Sequence, residues 1–257
     1  VPAVPTLTAS RQAVDRALAI APELVEAQAT RAYLFWALDW NWPAADSAFQ
    51  RAIALGPNYS LSHRWYSDVL DALDRFSEAQ REAERARQLD PASGTVFAKL
   101  ADRALRRGDE AEELRLLDQA LTLDPTQPQA LRQITSRLFD RGDSARFFAM
   151  QERFVVSSGI AGASTAALRR AWQTGGRNAA LRVQIAALDT LDLPFEAARW
   201  RMKAGDLDGV FRDLDRAYNA HSIWMVGLKR HFNSPAVRRD PRFKVMLAKM
   251  KIPEDAP

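Results

Sequence analysis

Three short segments of this sequence align without gaps, and the prolines that end them are 34 residues apart, twice in succession. The segments are residues 52–57 (AIALGP), 86–91 (ARQLDP) and 120–125 (ALTLDP). Proline ends a helix because it lacks the amide donor and because its ring clashes with the preceding turn. A 34-residue period built on such endings is typical of a repeated helix–turn–helix unit. The spacing therefore predicts an all-α repeat protein in which each repeat buries its apolar face against its neighbours.

The repeat of residues 60–93 shows this pattern most clearly. Its first helix (helix A) is predicted at 61–73, and a turn at Asp74 and Arg75 separates it from a second helix (helix B) that runs from 76 or 77 to 88. Small side chains at three spaced positions of helix B allow two helices to pack closely. These positions hold Ala79, Ala83 and Ala86 here, and Ala45, Phe49 and Ala52 in the preceding repeat, 26–59.

The signature Ala-x3-aromatic-x2-Ala-x4-Pro is complete at Ala45, Phe49, Ala52 and Pro57, and on these residues the chain resembles the tetratricopeptide-repeat family. The resemblance implies an all-α fold, a right-handed α-α superhelix (solenoid) of about six helical hairpins. It also implies a C-terminal helix that caps the stack, as solenoids require at their ends. The function that it implies is that of a protein–protein interaction scaffold.

Two later repeats depart from this signature. The repeat of residues 94–127 carries Glu113 where the small alanine belongs, so looser or shifted packing is expected there. The repeat that begins at Pro128 carries Phe147 and Phe154 where alanines are expected. We interpret it as a degenerate repeat.

The quality of the repeats predicts four segments along the chain. Residues 1–22 form a truncated leading repeat, and 23–127 form well-formed repeats. Residues 128–220 form degenerate helical hairpins, and 221–257 form a capping segment.

Two further motifs, residues 39–45 (DWNWPAA) and 234–243 (SPAVRRDPRF), resemble a bacterial subgroup. In that subgroup tetratricopeptide arrays form the C-terminal half of larger regulators, behind a winged-helix DNA-binding domain, a nucleotide cyclase or a protein kinase. The resemblance implies a regulatory C-terminal module in the cytoplasm. The chain begins with Val1, which we interpret as an excised fragment or as a mature chain whose leader is missing. The alternative is an envelope-assembly or chaperone-like module, periplasmic if a signal or membrane anchor lies upstream.

The sequence does not predict an enzyme. It holds three histidines, His63, His221 and His231, and no cysteine, whereas metal and acid–base sites need several converging polar groups. We expect His63 to be structural. The pair Gly175 and Gly176 is expected to be an inter-helix turn, because no strand precedes it as a phosphate-binding loop would require. We predict no catalytic residue, no metal and no cofactor.

The charges suggest a protein or peptide partner. The chain has 36 basic and 32 acidic residues, which are interleaved as in residues 81–87. The exception is a C-terminal basic cluster, interpreted as a basic capping helix, so a nucleic-acid partner is not expected. No stretch approaches the roughly 20 apolar residues of a membrane span. The basic cluster consists of Lys229, Arg230, Arg238, Arg239, Arg242, Lys244, Lys249 and Lys251.

The family resemblance implies that the A helices line an inner, concave surface and present fixed repeat positions to a partner. This surface is apolar at one end and mixed in charge toward its middle. It suits an extended peptide or a helix held by a few salt bridges and an apolar pocket. The partner-binding residues predicted in this way are Thr30, Leu34, Leu38, Arg64, Asp68, Asp71, Asp102, Arg106, Arg132, Ser136 and Phe139.

Trp36, Trp40 and Trp42 form the densest aromatic cluster in the sequence. We interpret them as core packing and turn closure, with Trp42 at the aromatic turn position of the family. The alternative is that Trp40 is an exposed interaction anchor, since tryptophan is enriched at binding hot spots.

Overall fold

The computed structural model describes residues 3–158 and 164–254. Within these ranges the chain forms α-helices and one short 3-10 helix, and no strand. In chain order the helices are α1 (Ala3–Ile20), α2 (Val25–Ala37), α3 (Trp42–Leu55), α4 (Ser60–Ala72), α5 (Phe76–Leu89), α6 (Gly94–Arg106), α7 (Glu110–Leu123), α8 (Pro128–Arg141), α9 (Ser144–Ser158), α10 (Thr165–Thr190), α11 (Pro194–Ala204), α12 (Leu207–Asn219), the 3-10 helix (Ile223–Gly227), α13 (Leu228–His231), α14 (Pro235–Arg239) and α15 (Pro241–Lys249).

The chain divides into two compact units. The terminal unit comprises Val1–Leu89 together with Leu207–Pro257, and the central unit comprises Asp90–Asp206. The predicted division into four segments by repeat quality stays a prediction, and its first two and last three residues lie outside the described residues. Each unit is described by itself below.

In the terminal unit, α2 pairs with α3 and α4 pairs with α5, as consecutive helical hairpins. Helix A of the second repeat, predicted at 61–73, lies at Ser60–Ala72, and its helix B lies at Phe76–Leu89. The small positions of helix B are buried as the signature requires. Ala45, Phe49, Ala52, Ala79 and Ala86 are 0% exposed and Ala83 is 2% exposed.

Local signals at both ends of α3 explain its bounds. The Asn41 side chain accepts a hydrogen bond from the Ala44 amide (3.2 Å), which caps the helix, and Pro43 occupies its first turn. The helix ends at Leu55, and Gly56 caps it directly before Pro57. A Cβ on Gly56 would lie 2.6 Å from Val25 Cγ1, so only glycine fits the close approach of α2.

The C-terminal part of the chain, residues 207–254 (the C-terminal segment), belongs to the same unit as the first repeats. Within it α12 packs against α15, and α14 packs against α15 as well. The 3-10 helix contacts α2, and α13 contacts α4. The C-terminal segment therefore packs on the A helices of the first two repeats.

In the central unit, α6 pairs with α7, α8 with α9 and α10 with α11. Helix α10 is interrupted by Gly175 (φ −146°) and Gly176 (φ 67°), which makes it two helical pieces in succession. Gly176 adopts the left-handed conformation that glycine tolerates without steric cost. The glycine pair is an inter-helix turn, as the sequence predicts.

Glu113 forms a buried ion pair at the position where the sequence predicts looser packing. Glu113 is 0% exposed, and its carboxylate accepts two hydrogen bonds from the guanidinium of Arg137 on α8, one of them from Nε at 3.1 Å. Bidentate pairing of this kind is the strongest carboxylate–arginine contact. A carboxylate thus takes the place of the small alanine because the next helix supplies its counter-ion.

We expect Glu113→Gln to lower the free energy of unfolding by about 2 kcal/mol, because it removes the charge while the Arg137 guanidinium stays half-buried. Chemical denaturation followed by circular dichroism measures the change. The control is Glu112→Gln, which breaks an exposed pair with Arg115 and should cost less than about 0.5 kcal/mol. Equal losses in the two variants would contradict a special role for Glu113.

Bulky side chains in the degenerate repeat form an aromatic core. Phe147, at a position where alanine is expected, is 0% exposed and lies 5.3 Å from Phe139 and 5.7 Å from Trp172 between ring centroids. Trp200 of α11 meets Phe139 edge to face at 4.9 Å. Such pairs stabilise beyond their buried area. The aromatic side chains therefore fill a larger core between α8, α9, α10 and α11.

Candidate interaction surfaces

The predicted partner-binding residues of the terminal unit lie on or directly after α2 and α4. Leu34 is 2% exposed and Asp68 is 7% exposed, so neither presents surface to a partner. For these two residues the prediction is corrected: Leu34 packs into the repeat core, and Asp68 is covered. The half-buried members of the set are Thr30, Leu38, Arg64 and Asp71.

The C-terminal segment covers this face of the terminal unit. Arg230 lies 3.7 Å from the carboxylate of Asp68, and Lys229, itself 5% exposed, forms an ion pair with Asp74. A ring nitrogen of His221 hydrogen-bonds the carbonyl of Leu38. Asp68, which was predicted to meet a partner, therefore lies beside a cation of the same chain, and so does Asp74 at the turn of that repeat.

Trp40 is not an exposed anchor, which corrects that alternative. Its side chain is 6% exposed and stacks on the His221 ring at 3.9 Å between centroids. Trp42 is 2% exposed, and its indole nitrogen donates a hydrogen bond to the Met250 carbonyl (2.7 Å). Both side chains join the first repeats to the C-terminal segment.

The C-terminal basic cluster is largely engaged in ion pairs within the terminal unit. Beyond Lys229 and Arg230, Arg242 contacts Asp208 (2.7 Å), Lys244 contacts Glu254 (3.0 Å) and Lys249 contacts Asp215 (2.6 Å). Arg238 donates a hydrogen bond to the Lys229 carbonyl (2.7 Å). These contacts lie within the C-terminal segment and hold its helices together.

The predicted partner-binding residues of the central unit differ in their exposure to solvent. Phe139 is 2% exposed within the aromatic core, which corrects its assignment to the partner-binding face. Arg106 is exposed, and Asp102 is half-buried and accepts a hydrogen bond from Gln129 (2.9 Å). Arg132 and Ser136 line a pocket.

The pocket lies among α8, α9, α10 and α11 and encloses about 550 Å³ of empty space, part of it open to solvent. A water-sized sphere can occupy only about 40 Å³ of this space, which is well below the roughly 300–1,000 Å³ of ordinary ligand sites. Its apolar wall is formed by Phe154, Leu188 and Trp200. The polar and charged residues that line it are Arg132, Thr135, Ser136, Gln151, Gln184, Glu196, Arg199 and Lys203.

One buried polar side chain of the pocket, Thr135, has a hydrogen-bonding group without a partner in the described part of the chain. Thr135 is 3% exposed, and its hydroxyl oxygen is fully buried and makes no hydrogen bond. Gln151 is also 3% exposed. Buried polar groups are nearly always paired, so such groups in a cavity point to a ligand or to water.

The charged side chains of the pocket are held in ion pairs at its edge. Arg199 contacts Glu196 at 2.6 Å, and Lys203 donates to both carboxylate oxygens of Asp140, one at 2.7 Å. Burial lowers the pKa of the Lys203 ammonium below its ordinary value, although the Asp140 carboxylate opposes this shift. A shifted pKa in a concave site is a recurrent mark of function.

The histidines are used structurally. His63 is 5% exposed, with one ring nitrogen 2.6 Å from Glu82 and the other 3.0 Å from the Pro57 carbonyl. Among the described residues, no three or more histidine or acidic side chains converge as metal ligands would. In the same residues, no helix is long and apolar enough to cross a membrane.

Two residues of the pocket, Arg132 and Ser136, belong to the partner-binding set that repeat position predicts. That set omits Thr135, Gln151 and Lys203. The feature of the sequence that pointed to a pocket here was the presence of Phe147 and Phe154 where alanines are expected. Rings at close-packing positions hold helices apart and leave space between them.

No family model matches the chain, and no curated protein does. Solved structures do match in fold. A chain of the APC/C hetero-tetramer Cut9–Hcn1 has a TM-score of 0.58 at 10% identity, covering 95% of this chain and 46% of that one. PilF of Pseudomonas aeruginosa has a TM-score of 0.53 at 18% identity, covering 95% and 90%.

The human IFIT1 dimer, solved with m7Gppp-AAAA, also matches, with a TM-score of 0.53 at 15% identity over 96% of this chain and 65% of its own. This chain thus spans less than two thirds of the Cut9–Hcn1 chain and of IFIT1. Together with the helical hairpins, these matches confirm the predicted fold class: an all-α protein of the tetratricopeptide type. At these identities the likeness is one of fold.

Proposed function

We propose that this chain is a protein–protein interaction scaffold and that its partner binds the inner face of the central unit, around Arg132 and Ser136. The observation that carries the proposal is that part of this face is open. Arg106 is exposed, and the pocket beside Arg132 holds the Thr135 hydroxyl, which is buried and makes no hydrogen bond within the described residues. The corresponding face of the terminal unit is covered by the C-terminal segment, which leaves little of it for another chain.

A peptide or a partner helix is the ligand class that this face suits. Tetratricopeptide arrays use the A helices for such contacts, and α6 and α8 supply Asp102, Arg106 and Arg132 here. Opposite charges at spaced positions fix the register of a bound segment. The engagement of the C-terminal cations in ion pairs supports a protein partner over the RNA present in the IFIT1 structure.

We further propose that the scaffold is the C-terminal, cytoplasmic module of a larger bacterial regulator. The two motifs that carry this resemblance, at 39–45 and 234–243, both lie in the terminal unit. Trp40 and Trp42 of the first motif contact the C-terminal segment, of which the second motif is part. A signal peptide encoded upstream of Val1 would contradict the cytoplasmic setting and favour the envelope role.

We expect Arg132→Glu to reduce partner capture at least tenfold, because it reverses the charge at the centre of the proposed face. The measurement is photo-crosslinking from a benzoylphenylalanine at position 106, followed by mass spectrometry of the captured protein. Arg64→Glu is the matched control, since Arg64 holds the same repeat position in the terminal unit. Capture that survives Arg132→Glu and is lost with Arg64→Glu would overturn the proposal.

A further inference from the structure

A second and larger cavity of the central unit lies among α7, α8 and α9, where α7 and α9 each pack against α8. A water-sized sphere can occupy about 590 Å³ of it, which is within the roughly 300–1,000 Å³ of ordinary ligand sites. Its lining residues come from 114–122 of α7, 134–141 of α8 and 146–153 of α9. We call this cavity the α7–α9 groove.

The α7–α9 groove is separate from the partner-binding face proposed above. Successive residues of an α-helix are turned by about 100°, so Arg132 and Ser136 lie on one side of α8. Ile134, Leu138 and Arg141, which line the groove, lie on the opposite side of the same helix. An occupant of the groove therefore leaves the face around Arg132 open, and the two sites can be tested independently.

The α7–α9 groove presents apolar surface to solvent. Leu114 is 44% exposed, and the half-buried apolar residues of the lining are Leu121, Ile134, Leu138 and Met150. An exposed apolar patch with a polar rim marks an interaction site. Methionine adapts its shape to what it contacts and is common on binding surfaces. The groove therefore offers surface that a partner gains free energy by covering.

The length of the groove matches two turns of an α-helix. Each of its three lining stretches covers eight or nine residues, which span about 10–13 Å at 1.5 Å per residue. A helix bound in a groove places apolar side chains at i, i+3 or i+4, and i+7, which cover about the same distance. One amphipathic helix with three apolar anchors therefore fits the groove from end to end.

The α9 side of the groove carries positive charge. Arg153 donates to the Pro125 carbonyl (2.7 Å) and contacts the Met150 sulfur (3.7 Å), and it forms no ion pair with a described residue. Arg146 lies 4.0 Å from the Asp143 carboxylate, and its side chain is 79% exposed. Both guanidiniums can therefore accept a carboxylate from outside the chain, in the bidentate geometry that is strongest for this pair.

The other sides of the groove differ from the α9 side. On α8, Arg137 and Arg141 form ion pairs with Glu113 and Glu110, which neutralise them. On α7, Asp118 is exposed, and its carboxylate forms no ion pair with a described residue. The groove is therefore positive along α9 and negative along α7, and a complementary ligand carries acidic residues on one flank and a basic residue on the other.

We propose that the α7–α9 groove binds an amphipathic helix of a partner protein. The apolar stripe of that helix packs on the groove residues of α7 and α8, and its acidic flank contacts Arg146 and Arg153. A basic residue on the opposite flank contacts Asp118. The apolar surface and the carboxylate favour a protein over a nucleic acid, whose phosphates are all negative.

A phage-displayed library of random peptides of about 16 residues, a little over four helical turns, is the probe. Peptides selected on the isolated chain are counter-selected on Leu114→Glu and Met150→Glu, which place a charge in the apolar surface. We expect the peptides that need the groove to share apolar residues at i, i+3 or i+4, and i+7, with an acidic flank. If no peptide distinguishes the chain from both variants, or if those that do lack acidic residues, the proposal is wrong.

Fluorescence anisotropy with a labelled selected peptide measures the contribution of the arginines. Arg146→Glu/Arg153→Glu should weaken binding at least tenfold, whereas Arg51→Glu/Arg81→Glu, the same charge change at exposed positions of the terminal unit, should leave it unchanged. Far-UV circular dichroism establishes that each variant is folded. Equal binding by both double variants would contradict the charge assignment. Arg132→Glu should not affect this peptide, so the result is independent of the capture experiment.

Two other occupants give different results in solution. Sedimentation velocity of the chain alone should show a monomer, and a dimer that Leu114→Glu dissociates would assign the groove to a second copy. Oligoadenylate RNA should not displace the labelled peptide. Displacement that is lost in Arg146→Glu/Arg153→Glu would assign the groove to a nucleic acid and overturn the proposal.

Discussion

Trp42→Ala is expected to lower the free energy of unfolding by about 4 kcal/mol, which is within the usual range for replacing a buried aromatic residue by alanine. Trp42 is 2% exposed, and its indole nitrogen donates to the Met250 carbonyl at 2.7 Å. The variant therefore removes a packed ring and leaves a buried carbonyl without its donor. We also expect trypsin to cleave the C-terminal segment faster, since this contact ties it to the first repeats.

Urea denaturation followed by circular dichroism measures the loss, and timed trypsin digestion measures the release of the segment. Trp42→Phe keeps most of the ring and should cost about 2 kcal/mol, chiefly for the unpaired carbonyl. Trp224→Ala is the matched control, because Trp224 is 48% exposed in the same unit and should cost less than about 1 kcal/mol. A segment that stays protected in Trp42→Ala would show that this contact does not hold it.

Lys229→Met is expected to cost about 3 kcal/mol, because it leaves the Asp74 carboxylate without its buried counter-ion. The Lys229 side chain is 5% exposed and that of Asp74 is 20% exposed, so water compensates the loss only in part. Asp74 also sits in the left-handed backbone region (φ 59°), which asparagine tolerates, so Asp74→Asn probes the charge without straining the turn.

The double variant Lys229→Met/Asp74→Asn should lose less stability than the two single variants together, by about 1–2 kcal/mol, since neither charge is then left alone. Lys244→Met is the control: its pair with Glu254 has side chains 67% and 61% exposed, and its loss should cost less than about 0.5 kcal/mol. Additive losses in the double-mutant cycle, measured by urea denaturation, would mean that the pair is not coupled.

The repeats could be predicted because their signals are local. The proline endings and the alanines of helix B predict the bounds of α4 and α5 to within one residue. Helix α1 begins at Ala3, although its first turns carry none of these signals. The family resemblance also put Arg132 and Ser136 on one predicted partner-binding face, because repeat position determines which face of helix A a residue occupies, and both line the pocket of the central unit.

The same positional rule failed for Leu34 and Phe139, which are buried. Phe139 turns into the core because Phe147, Trp172 and Trp200 surround it, and a repeat of ordinary alanines would not have provided those rings. The pocket has the same origin, since its lining residues come from α8, α9, α10 and α11. No single repeat of the sequence contains all the residues that line the pocket.

The sequence by itself determined that this chain is a stack of helical hairpins, because hydrogen bonding within helices, proline endings and small packing positions act over one repeat. Only the tertiary structure decided which faces stay open. The Trp42–Met250, Leu38–His221 and Asp74–Lys229 contacts join residues 208, 183 and 155 positions apart. Contacts at such separations depend on the path of the whole chain, and no periodic pattern encodes them.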